Sequence, residues 1–95
     1  PVREWLLALS DADRLAIGTD IQRVEFGWPL GRPVCAALGT GLWEVRSELE
    51  SNRIARVIFC MAASEMVLLH GFIKKTQKTP ADDLTLAKSR LRLLQ

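Results

Sequence analysis

The sequence predicts an α+β domain: an N-terminal helical hairpin, an antiparallel sheet of three or more strands, and a C-terminal helix packed on that sheet. Three changes of pattern carry the prediction. Ile17, Ile21, Val24 and Trp28 recur at helical spacing on one face. The pattern then alternates over Leu42–Glu48, with Trp43, Val45 and Ser47 on one side and Leu42, Glu44, Arg46 and Glu48 on the other. After Thr79-Pro80 it becomes helical again, with Leu84, Ala87, Leu91 and Leu94 in one stripe.

The elements follow in order. Val2–Leu9 holds no Gly or Pro and reads as a short helix with Trp5, Leu6 and Leu9 on one side. Ser10 fits an N-cap, Asp11 and Asp13 suit a first turn, and Asp13 completes an approximate capping box. A helix is expected from Asp11 to Phe26. From Gly27 to Gly41, repeated Gly and Pro mark an irregular connection with a brief extended piece near Val34–Ala37. The strand Leu42–Glu48 leads through a turn at Glu50, Ser51 and Asn52 into a second strand, Arg53–Met61, rich in Ile, Val and Phe. A turn over Ala62–Glu65 precedes a third strand, Met66–Ile73, and the three form a meander. Met61 and Met66 read as core. Thr79 then fits an N-cap with Pro80 at the first helical position, and Lys88, Arg90 and Arg92 fall mostly off the packed stripe. The helices are expected to cover one face of the sheet and leave the other bare for a ligand.

The chain has 95 residues, which suits a single domain over 1–95. It is too apolar, at 48%, for a disordered chain, and two cysteines, Cys35 and Cys60, are too few for a disulfide scaffold. Their wide separation and the single His70 fit no zinc spacing. No apolar run approaches the roughly 20 residues of a membrane span. Both thiols are expected to be reduced and structural. The net charge is only +2, but it is unevenly spread: residues 1–65 carry seven basic and nine acidic groups, residues 66–95 six basic and two acidic. A localised positive field attracts phosphate.

No nucleophile elbow, phosphate-binding loop or paired-histidine motif is present. The informative stretch is His70-Gly71-Phe72-Ile73-Lys74-Lys75-Thr76-Gln77-Lys78-Thr79-Pro80, an apolar strand that runs into three lysines and a capped helix. Arg46, Arg53 and Arg56 lie on or beside the neighbouring strands. Fixed cations that converge on one surface favour a bound polyanion, and RNA phosphate is the natural candidate. Phe72 offers a ring on which a base can stack. The competing reading pairs each arginine with Glu44, Glu48 or Glu65 and leaves the lysines as solubilising edge charges.

Three segments together, Gly41-Leu42-Trp43-Glu44-Val45-Arg46, Arg53-Ile54-Ala55-Arg56-Val57-Ile58-Phe59 and Leu68-Leu69 followed by the lysine-rich stretch above, resemble the RelE/ParE toxin superfamily. The nearest branch is the HigB-like, phage-derived toxins of bacterial type II toxin–antitoxin systems. The resemblance implies a RelE-like fold. Family members begin with a β-strand before the helical hairpin, so this chain is expected to lack that first strand and to leave a sheet edge unpaired. It further implies a cytoplasmic, metal-independent endoribonuclease without cofactor or membrane association, bound by a cognate antitoxin and acting on mRNA in the ribosomal A site. There the ribose 2′-OH attacks the adjacent phosphate and basic side chains stabilise the charge. Carried onto this sequence, Arg46, Arg56, Lys74, Lys75 and His70 are the candidate catalytic groups, with Arg53, Phe72 and Lys78 as RNA-binding groups. The tyrosine used by some relatives is missing, since the chain has no Tyr, and histidine is the side-chain type whose ordinary pKa lies near neutrality. Alanine at Arg56 or Lys75 is expected to relieve growth arrest without unfolding the domain. Two alternatives remain at this point: a ParE-like inhibitor of DNA gyrase, and a non-catalytic domain that only binds an antitoxin.

Overall fold

The computed structural model describes residues 2–27, 35–39, 41–63, 65–74 and 81–94. The elements are helices α1 (Val2–Leu7) and α2 (Asp11–Gly27), strands β1 (Cys35–Gly39), β2 (Leu42–Glu48), β3 (Ile54–Ala62) and β4 (Glu65–Lys74), and helix α3 (Ala81–Arg92). This is the expected α+β class. The sheet has four strands in the order β1-β2-β3-β4, each antiparallel to its neighbour. The brief extended piece foreseen after Gly27 is therefore a full edge strand over Cys35–Gly39. Trp28, Val34 and the Thr79-Pro80 cap lie outside the described residues.

Local chemistry sets the boundaries. Ser10 Oγ accepts a hydrogen bond from the Asp13 amide at 3.2 Å, which caps α2 and separates it from α1. Between β2 and β3, Ser51 and Asn52 both adopt positive φ, 63° and 59°, and a short 3-10 turn over Glu50–Asn52 reverses the chain. Ala63 turns the β3–β4 hairpin with φ 52°.

Both faces of the sheet are covered, which corrects the expectation of one bare face. On the first face α1 and α2 bring Val2, Ile17 and Val24 onto Val45, Ala55, Val57 and Phe59. On the second, α3 presses Ala87 against Leu42, Ile58, Cys60, Leu69 and Phe72. Hence β3 is buried without a break from Ala55 to Cys60. Burial of consecutive residues, Arg56 included, is the mark of a strand packed on both sides. The α3 stripe ends at Leu91, and Leu94 stands exposed beyond the helix. Met61 is also exposed rather than core, whereas Met66 packs on the first face.

The register fixes the site. Arg46 pairs with Arg56, and Arg56 with Phe72, in one row across three strands. The next row on the same face is Glu44, Ile58 and His70. The β3–β4 ladder then slips between Ile58 and Phe59, because Phe59 pairs with Leu68 and leaves Leu69 as a bulge.

Candidate nucleic-acid interface

Strand alternation turns Glu44, Arg46, Arg56, His70 and Phe72 toward the face that α3 partly covers. The structure thus brings together Arg46, Arg56, His70 and Phe72 from the sequence-derived set. Lys74 is placed in register with Ile54 at the end of β4. Lys75 and Lys78 lie outside the described residues.

The members of this group differ in exposure. Arg56 is fully buried. Desolvation pulls its guanidinium below the ordinary arginine range; Glu44 opposes that shift and Arg46 adds to it. The group stays protonated, since arginine does not lose its proton in proteins. Arg46 is the accessible member of the row, and its Nε lies 3.7 Å from Glu44 Oε1. Glu44 is itself buried, so one carboxylate lies within the field of two guanidinium groups. Phe72 is a core residue stacked on His70, with ring centroids 5.6 Å apart and 26° between planes. That packing corrects the expectation of a free platform for a base.

Arg53 is not brought to this face. It donates from Nη1 and Nη2 to the two Asp13 oxygens at 2.9 and 3.1 Å, and from Nε to the Glu50 carbonyl at 3.1 Å. The fork ties the start of β3 to α2. It holds the Asp13 carboxyl below its usual range and raises Arg53, the hydrogen bond between them being the main cause in both.

Sequence reasoning missed two members of the site, Asp83 and Arg90. Asp83 Oδ1 lies 2.7 Å from His70 Nε2. Arg90 Nη1 donates to the Leu69 carbonyl at 2.6 Å and lies 3.3 Å from His70 Nδ1. The signal was the helical spacing of Asp83, Ala87 and Arg90, which puts both polar groups beside the buried alanine. A long arginine stem can lie along the packed surface and return its head to the sheet. The bulge supplies the carbonyl that Arg90 meets.

Cys60 is buried, and burial pushes its thiol up, which suits a structural role. Among the described residues no group of three or more His, Cys, Asp or Glu side chains is arranged to hold a metal ion, and no helix is long and apolar enough to cross a membrane.

A family model described as "Phage derived protein Gp49-like (DUF891)" matches residues 4–92, nearly the whole chain. The family is associated with RelE-like and toxin-like proteins. No curated protein matches the chain.

Proposed function

This chain belongs to the phage-derived Gp49-like family, and on that premise we propose that it is the toxin of a type II toxin–antitoxin pair: a HigB-like, ribosome-dependent mRNA endonuclease. The observation that carries this reading is the cross-strand row Arg46–Arg56–Phe72, with His70 one row away on the same face. RNA brings its own nucleophile, the 2′-OH, so the protein has mainly to place the backbone and stabilise the phosphorane charge. Arg46 is the accessible cation for that task. Arg56 acts from inside, where its charge bears on Glu44 and adds fixed positive potential. Lys74, in register with Ile54 at the end of β4, is a further candidate contact for the RNA backbone. A ribosome that presents the RNA in an extended conformation completes the geometry.

A second reading, a domain that binds an antitoxin without cutting RNA, is favoured by a specific observation: Arg46 lies beside Glu44 and Arg53 is paired with Asp13. Transcript mapping after induction of the gene separates the readings. Cuts inside translated codons that disappear in Arg46→Ala, with the fold intact, support the nuclease. DNA damage with intact transcripts identifies a gyrase poison, and growth without arrest identifies the binding-only domain.

A further inference from the structure

His70 is the chain's single histidine, and α3 engages both of its ring nitrogens. Arginine only donates hydrogen bonds, so the Nδ1 that faces Arg90 must be an acceptor. The ring proton is thereby assigned to Nε2, which donates to Asp83 Oδ1 at 2.7 Å. Three features build this arrangement. Ala87 is fully buried, which lets α3 approach the sheet closely with Asp83 and Arg90 on either side of the ring. The bulge at Leu69 presents the carbonyl that anchors Arg90. Phe72 stacks beneath the imidazole. The ionisable groups around the ring are Asp83 and Arg90 on α3, Glu44 in the same row, and Arg46 and Arg56 in the next row on that face.

We propose that Asp83, His70 and Arg90 form the proton-transfer and phosphate-holding part of an RNA-cleaving site, an inference that rests on the nuclease reading above. His70 Nδ1 accepts the proton of a ribose 2′-OH once Arg90 turns from the ring to a non-bridging oxygen of the neighbouring phosphate. The 2′-oxygen then forms its bond to phosphorus, and the bond from phosphorus to the 5′-oxygen breaks. The products are a 2′,3′-cyclic phosphate and a 5′-hydroxyl that takes its proton from water. The imidazolium returns its proton to the resulting hydroxide, which closes the balance. Asp83 touches no substrate atom. It is a positioning residue that fixes the tautomer and offsets the transient imidazolium charge. The structure therefore gives α3, read from the sequence as a packing helix, a direct share in the chemistry.

The test uses the full chain with translating ribosomes and a defined mRNA. His70→Gln is expected to lower cleavage by about a hundredfold or more, the usual share of a general base. Asp83→Asn keeps the side-chain shape and is expected to lower kcat with little change in KM, while Arg90→Lys is expected to raise KM because lysine loses the fork. Thermal melts establish that each variant is folded. Long-range proton–nitrogen NMR reads the imidazole directly, since only one histidine is present, and is expected to show hydrogen on Nε2. Hydrogen on Nδ1 would overturn the assignment. Wild-type cleavage rates in folded His70→Gln overturn the proton-transfer role and leave the nuclease reading standing. A wild-type chain that cuts no ribosome-bound transcript overturns both.

Discussion

Arg53 and Arg56 stand three residues apart, an odd spacing that sends them to opposite sides of an extended chain. Arg53 ties α2 to the sheet through Asp13, and Arg56 sits buried in the field of Glu44. Removing Arg56 leaves a buried carboxylate with one fewer cation. Arg56→Ala is therefore expected to destabilise the fold by about 3 kcal/mol, the scale for breaking a buried ionic group, measured by urea unfolding. The burial of Arg56 argues against the expectation that Arg56→Ala leaves the fold intact, and it makes Arg46→Ala the cleaner functional probe. The Asp13 carboxyl is depressed in the folded state, so the stability it contributes is present above its unfolded value near 3.8 and is lost as pH falls through its lower folded value. Urea midpoints measured downward from pH about 5 should fall in the wild type, and Asp13→Asn should be less stable at neutral pH and lack that part of the acid decline. At the β3–β4 turn, Ala63 holds φ 52°. Glycine removes that left-handed strain, and Ala63→Gly is expected to raise stability by about 1 kcal/mol.

At the scale of elements, α1 docks on β4 through Trp5 over Gly71. A Cβ built on Gly71 would lie 2.5 Å from the Trp5 ring. Gly71→Ala is expected to cost about 2 kcal/mol through overpacking. A double-mutant cycle with Trp5→Ala should show the cost largely relieved once the indole is gone. The elements that were legible in the sequence share a strong period or an explicit cap. Ser10 announces α2, and the alternation over Leu42–Glu48 announces β2 with the bounds it has in the fold. β1 was only glimpsed because Cys35–Gly39 is five mostly small residues with no alternation to detect. The second helical layer was hidden for another reason. Ala55–Cys60 contains Arg56, and that charge made the strand look exposed on one side, although the residues around it form a strand buried on both. Within the site, the row that contains Arg46 and Arg56 follows from strand spacing alone. Asp83 and Arg90 depend on how closely α3 approaches the sheet, and a buried alanine at position 87 is a quiet signal for that.

For the whole molecule, stability concentrates in the inner strands. β2 and β3 each have hydrogen-bonded neighbours on both sides, and β3 is also shielded by helices on both faces. Native-state hydrogen exchange is expected to be slowest for β3 and fastest for the six-residue α1, which opens without disturbing the inner ladder. The layers are nonetheless joined at one place. His70 faces α3, while the next residue, Gly71, lies beneath Trp5 of α1. A single peptide unit is thus shared by the two sides of the protein. Any partner that levers the first helix away from its seat tugs on the link that aims the imidazole, so a hand laid on the back of the molecule can be felt at its front.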